Sequence, residues 1–371
     1  MNGERLAISG GVKRRRTRPV YIGSVQVGGG APVSVQSMTS TDTRDAAATA
    51  AQINELADLG CEIVRVAVPD REAAEALPLI RRAAGVPLVA DIHFDYRLAL
   101  QALKAGVDGL RINPGNIGGR DRVAEVVAAA RHCGVPIRIG VNAGSLEKEL
   151  LERYGGITAA AMVESALRHV RILEDLNFND IKISLKASDV PLMVQAYRLV
   201  AEKVDYPLHV GVTEAGTVRA GTVKSAVGIG ILLHEGIGDT IRVSLTGHPR
   251  HEIPVAYGIL RALGLRRRGV ELISCPTCGR TEIDLVRIAE EVEDRLRHVT
   301  EPLKVAVMGC VVNGPGEARE ADVGIAGGRG AGLIFRSGEV IRTVPEDRLV
   351  DELIAEVGRL VQHKRGTLAR D

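Results

Sequence analysis

What most limits the folds open to this chain is a repeated alternation of two patterns. Short apolar runs rich in Val and Ile give way to stretches of helical spacing that end in Gly or Pro, and the next run follows. The runs are PVSVQSM (32–38), EIVRVAV (62–68), PLVADIHF (87–94), GLRINPGN (109–116), PIRIGVN (136–142), DIKISLKAS (180–188), PLHVGVTEAG (207–216) and TIRVSLTG (240–247). Between them, stretches such as RDAAATAAQINELADLG and DRVAEVVAAARHCG close on the Gly expected after a helix. Strands separated by helices pair in parallel. Eight such units in about 220 residues predict a closed (β/α)8 TIM barrel. An open doubly wound sheet is the competing arrangement, but no G-x-G-x-x-G turn follows the first strand. Residues 20–28 predict a short hairpin closing the bottom of the barrel.

The rhythm breaks at 264–270. Beyond it the pattern predicts a strand at 271–274, a helix at 281–299, strands at 303–308, 322–326, 332–336 and 340–344, and a helix at 347–362. That order is a small α+β domain, so the expected organisation is a barrel at 1–264 and a second domain at 270–371.

Composition excludes several classes. Aromatics make up only 2% of the 371 residues, Trp is absent, and the net charge is +2, which argues against a nucleic-acid-binding surface. The basic run Lys13–Arg16 reads as a solvated terminal arm. No apolar run approaches the length needed to cross a bilayer, and the N-terminal stretch lacks the apolar core of a secretory signal. With five cysteines in a chain this long, the expectation is a cytoplasmic protein with reduced thiols, not a disulfide framework.

In a TIM barrel the chemistry sits at the C-terminal ends of the strands. Side chains two apart share a strand face. Arg111 and Asn113 therefore point one way, as do Arg138 and Asn142, then Lys182, Ser184 and Lys186, then Arg242 and Ser244, and also Asp91 and His93; Arg65 interrupts the second strand in the same manner. Barrel interiors often hold one or two ion-paired basic residues. Six cations on five strands are different, because they repel one another in a low-dielectric cavity unless an anion joins them. Arginine's fork matches phosphate oxygens, and Asn and Ser add donors. The simplest ligand carries more than one phosphate. Asp91, His93 and Glu214 remain for proton transfer or hydroxyl binding, and His209 reads as a buried neutral histidine.

The second domain carries SCPTCGRT and MGCVVNGPGEA, a C-x2-C-x31-C pattern of Cys275, Cys278 and Cys310. Zinc favours four closed ligands, often from two knuckles, whereas a cubane iron–sulfur cluster needs one ligand per iron. Cys61 and Cys133 fall in helix-to-strand turns at the barrel bottom and read as small buried hydrophobes. The fourth ligand is then an oxygen. Glu317 follows Cys310 by seven residues across a Gly–Pro turn, and Asn313, Glu320 and Asp322 are open on spacing alone. Carboxylate on iron is harder and more exchangeable than thiolate.

These motifs, together with VQSMTSTDT, VADIHF, LRINPGN and VTEAG, closely resemble the GcpE family, the 4-hydroxy-3-methylbut-2-enyl diphosphate synthases, from about residue 19 to residue 362. The resemblance implies a two-domain bacterial form, an iron–sulfur oxidoreductase with a [4Fe–4S] cluster on Cys275, Cys278, Cys310 and Glu317. It implies 2-C-methyl-D-erythritol 2,4-cyclodiphosphate as substrate, two-electron ring opening with loss of water, and flavodoxin or ferredoxin as electron donor. By motif, Arg65, Arg111, Asn113, Arg138, Asn142, Lys186, Arg242 and Ser244 look like diphosphate ligands and Glu214 like the acid/base residue, with Asp91 and His93 at the mouth. The last barrel helix runs towards the bottom, and the linker 264–269 spans at most ~20 Å. A head-to-tail homodimer, each cluster domain capping the partner's barrel, is therefore expected, and the resemblance points the same way. The rivals are a phosphate- or pterin-binding barrel enzyme with a zinc-bearing accessory domain, and a zinc-ribbon module touching nucleic acid through Lys13–Arg16.

Overall fold

The computed structural model describes residues 6–7, 12–310 and 319–368. The chain divides into two compact units, Met1–Arg266 and Arg267–Asp371.

The first unit is the barrel. Its strands are β1 (Ser34–Met38), β2 (Ile63–Ala67), β3 (Leu88–Asp91), β4 (Gly109–Ile112), β5 (Ile137–Asn142), β6 (Ile181–Lys186), β7 (His209–Val210) and β8 (Thr240–Ile241). All pair in parallel, in the order β6-β5-β4-β3-β2-β1-β8-β7. A parallel bridge between Ile183 and Leu208 closes the ring, with Ile183 N donating to Pro207 O at 3.0 Å. Outward-facing residues such as Val35, Val64, Leu110, Ile112, Ile139 and Ile183 merge with the apolar faces of the helices into one core. Asp45, Asp70, Asp95, Thr158 and Asp189 each accept from a backbone amide two or three residues on, so the helices start just above the strand ends.

The last two strands are shorter than their apolar runs predict. Beyond Val210 and Ile241 the segments still run side by side, with Arg242 N bonded to Val210 O and Thr246 N to Gly216 O, both at 2.9 Å. Their approach is too close for a regular pleat: a Cβ on Gly211 would lie 2.4 Å from the Arg242 carbonyl oxygen. Glycine permits this contact, at the end of the barrel where the strands finish.

The hairpin of Val20–Ile22 with Val25–Val27 forms the floor. Its Ile22 and Val27 pack with Ile63 and Val89, the inward residues at the strand starts, as a small separate core. Just before it, the basic run departs from a solvated arm. Arg14 is buried and ion-paired with Asp239 at 2.9 Å, and Arg15 donates to the Tyr206 carbonyl at 2.6 Å and to the carbonyls of Ala201 and Val204. Arg18 pairs with Asp205 and lies 4.8 Å from the Tyr206 ring centre. The carbonyls left open where the helix Val190–Ala201 ends attract the cations inward. No described helix is long and apolar enough to cross a membrane.

The second unit is a five-stranded sheet, β9 (Val270–Ser274), β10 (Leu303–Met308), β11 (Val323–Gly328), β12 (Ala331–Arg336) and β13 (Glu339–Pro345), in sequence order. The first three run parallel and the last two antiparallel. Helices Leu285–Leu296 and Leu349–Leu368 share one core with alternate sheet residues such as Leu303, Val305, Val307, Val323 and Ile325. The first helix is shorter than the expected 281–299, because Asp284 caps it by accepting from Arg287 N at 3.3 Å and residues 281–283 serve the preceding loop.

Replacing Arg14 with Ala should leave Asp239 buried without its cation and lower the unfolding free energy by about 3–5 kcal/mol in chemical denaturation.

Candidate active site

Reading inward-facing residues around the ring, the usual filling of branched aliphatics stops at the floor. Above Ile63 and Val89 the lumen carries Arg65, Asp91, Arg111, Arg138, Lys182, Ser184, Lys186, His209 and Arg242. Strand register sets Asp91, Arg111, Arg138 and Lys182 side by side across four strands, and Met38 beside Arg65. Arg65, Arg111, Arg138, Lys182 and Lys186 are buried, and Arg242 nearly so.

Asp91 is the centre of this layer. Arg65 Nε lies 3.4 Å from one carboxylate oxygen and Arg111 Nη1 3.2 Å from the other. Burial alone opposes its ionisation, but Arg65, a hydrogen bond from His93, Arg111 and Arg138 together hold the carboxyl well below its usual range. Burial pulls the Arg65 guanidinium down to about 10, against the attraction of Asp91. Arg111 also donates to Gly140 O at 2.8 Å, while Gly140 N donates to Asn113 Oδ1 at 3.1 Å. A side chain at 140 would meet Arg111 Nε at 2.5 Å, so the glycine opens the path by which this guanidinium crosses β5.

Sequence reasoning missed two partners. Glu252 begins the last barrel helix and accepts from Ser37 Oγ at 2.7 Å and Leu245 N at 3.2 Å, with Arg242 Nη2 3.6 Å away. Met38 Sδ lies 2.9 Å from Arg65 Nη2 and 3.8 Å from Arg242 Nη1. A Glu at a helix start reads as a surface cap in sequence; the outward hydroxyl of Ser37 was the only signal.

Asn142, the last residue of β5, and Ser244, beyond the end of β8, are half-buried. His93 is about half exposed, with its ring near the exposed Phe94 and 3.3 Å from Arg111 Nη1. Glu214 is exposed on the loop after β7 with φ +50°, a left-handed conformation rare for a side chain of its size. His209 is fully buried and held neutral, because burial, with Arg138 adding to it, pushes its proton affinity well below normal.

The second unit has its own feature at the C-terminal ends of adjacent strands. Cys275 follows β9 and Cys310 follows β10, strands in register with each other. Gly309 N donates to Cys275 Sγ at 3.3 Å, and Glu282 N donates to Gly309 O at 3.0 Å, so the two loops are stitched together. Thr281 Oγ1 accepts from Cys278 N at 3.1 Å and folds the C-x-x-C turn. Hydrogen bonds from the Arg280 backbone and side chain lower the affinity of the exposed Cys278 thiol for its proton. Among the described residues no three His, Cys, Asp or Glu side chains gather at metal-binding distance. Glu317 and Asn313 lie outside the described residues. Three soft thiolate donors on two tied loops, one with a backbone N–H on its sulfur, fit an iron–sulfur group better than a hard cation. Cys61 is buried, its thiol pushed up to about 12 by burial, but Cys133 is exposed, contrary to expectation, because it ends the helix Arg120–Cys133 on its solvent side.

Family comparison decides what this pair of features belongs to. The GcpE TIM-barrel domain profile matches residues 17–257, and the GcpE protein C-terminal domain profile matches residues 271–359. The chain belongs to the GcpE family. A Geobacter sulfurreducens protein called 4-hydroxy-3-methylbut-2-en-1-yl diphosphate synthase (flavodoxin) is 66% identical over 95% of this chain and 99% of its own length. A Maridesulfovibrio salexigens protein of the same name is 64% identical over 96% of this chain and 99% of its own.

Replacing Asp91 with Asn should leave two buried guanidiniums without a carboxylate and cost on the order of 3–5 kcal/mol at neutral pH. Because the folded-state carboxyl is depressed, this contribution is present above about pH 4 and fades as pH falls below it, so wild type and variant should converge in acid denaturation.

Proposed function

We propose that this GcpE-family chain opens 2-C-methyl-D-erythritol 2,4-cyclodiphosphate reductively to 4-hydroxy-3-methylbut-2-enyl diphosphate, in non-mevalonate isoprenoid synthesis. The observation that carries the reading is the excess of buried cations in the lumen, in a chain more than 60% identical along nearly its whole length to relatives named for this diphosphate product. Written for the acid forms, the conversion takes two electrons and two protons, breaks two C–O bonds, and releases one oxygen as water. The rival, a phosphate- or pterin-binding barrel enzyme with a zinc-bearing accessory domain, does not account for the near-full-length identity to relatives named for this product.

Arg65, Arg111, Arg138, Lys186 and Arg242 would grip the two phosphates, with Asn113, Asn142 and Ser244 as neutral donors. Fixing both phosphates removes the rotational freedom of the ring and presents one C–O bond in a single orientation. Asp91 holds Arg65 and Arg111 apart and oriented; His93 extends the same network to the rim. Glu214 has no hydrogen-bond or ion-pair partner among the described residues, and it serves in this reading as the group that hands a proton to the departing oxygen. Cys275, Cys278, Cys310 and Glu317 would hold a [4Fe–4S] cluster, which supplies the electrons singly when bound. Flavodoxin, the donor in the relatives' names, is the donor proposed here, with ferredoxin as the substitute. The site of action is the cytoplasm. The short linker at 264–269 further supports a head-to-tail homodimer in which each cluster domain serves the partner's barrel.

Protein purified without oxygen should be brown, with a band near 400 nm and about four irons per chain; colourless protein with one zinc would overturn the reading. Glu317→Ala should keep the iron but turn over the cyclic diphosphate at least tenfold more slowly, and an unchanged rate removes the role given to this carboxylate. Mixing Cys310→Ala with Arg111→Ala subunits should restore activity in confirmed heterodimers, and a dead mixture counts against capping in trans.

A further inference from the structure

The lumen holds more sites for positive charge than its carboxylates can balance, and the imbalance is greatest on β6. Lys182 is 3% exposed, and its Nζ has neither solvent nor a hydrogen-bond partner. Its register neighbour is Arg138, whose Nε and Nη1 are likewise unpartnered, and both ring nitrogens of His209 are in the same state. The charged groups acting on Lys182 are Arg138 from β5, Arg65 from β2 and Asp239, the residue before β8. Asp239 is already committed to Arg14 at 2.9 Å. Four residues further along, Lys186 faces Arg242 from β8, Arg138, Arg65 and the distant Glu252, which is held by Ser37, Leu245 N and Arg242.

We propose that Lys182 and Lys186 stand uncharged in the ligand-free barrel and take up protons as a diphosphate ester enters, so that binding is coupled to proton uptake. This rests on reading the lumen as a diphosphate site. Burial pulls both ammonium groups well below the ordinary lysine value, and neighbouring guanidiniums add to the effect, Arg138 on Lys182 and Arg242 on Lys186. An arriving dianion reverses the sign of the local field and makes the charged amines favourable. Lys182 stands beside Arg138 and four residues before Lys186 on β6, and it acts through these two, which makes it a positioning residue. The arrangement also discriminates: a ligand with less charge draws fewer protons and so meets fewer cations.

The test is calorimetric titration of the oxygen-free holoenzyme with the cyclic diphosphate, with no electron donor present, at pH 7.5 in buffers of different ionisation enthalpy. Each phosphorus of the cyclic ligand bears only a strongly acidic hydroxyl, so protons taken up are the protein's. Wild type should take up between one and two protons per site, and Lys182→Met should bind with that number reduced by at least half a proton. Binding without proton uptake overturns the coupling and leaves the diphosphate reading standing. No binding at all overturns both. Uptake unchanged in Lys182→Met removes Lys182 from the proposal. A second readout needs no ligand. A buried amine whose native proton affinity lies below its unfolded value makes the fold more stable as pH rises from neutral towards the lysine range. The wild-type Tm should therefore gain on that of Lys182→Met between pH 7 and 9, and parallel curves count against the proposal.

Discussion

Mutual repulsion among cations walled off from water is the constraint from which the rest of this barrel follows. Most TIM-barrel interiors are filled by stacked aliphatic side chains. Here that filling survives only where Ile63 and Val89 meet Ile22 and Val27 of the floor hairpin. Above it, the fold must be stable despite a lumen that would disperse if its walls could move. The walls are fixed from outside, by the continuous apolar core between strands and helices. Asp91 divides its two oxygens between Arg65 and Arg111, and Gly140 leaves the gap through which Arg111 passes. The charge is thus arranged and held, but only partly neutralised.

Much of this could be read in the chain. The β-branched runs gave the eight strands, and the two-residue period of a strand was enough to predict which polar residues share the lumen. What was lost was whatever depended on a partner distant in sequence. Glu252 looks like an ordinary first-turn acid until Ser37 and Arg242 are seen beside it. Arg14 belongs to a basic run that in isolation should be hydrated; Asp239, more than two hundred residues away, takes it inside. The last two strands were overestimated for a related reason. Apolar alternation continues past Val210 and Ile241, but the close contact at Gly211 leaves no room for a regular ladder.

The thiol loops show the converse. Their residue types were plain from spacing, while the reason for the neighbouring residues was not. Thr281 looked like the start of a helix, yet its hydroxyl shapes the C-x-x-C turn and leaves capping to Asp284. Gly309 carried no signal of its own, yet its amide serves the sulfur of Cys275 and its carbonyl anchors Glu282. In both units the side chains offered to a ligand come from strand ends, and the backbone beside them does the aligning.

The hairpin floor carries a consequence for traffic. Because Ile22 and Val27 stopper one end of the barrel with hydrocarbon, the lumen can be reached only from the opposite rim. In the proposed reaction the product would back out past the same guanidiniums that its precursor met on entry. Since a linear diphosphate can bear more charge than a cyclic one, a lumen that bound the proposed substrate by charge would hold the proposed product at least as firmly.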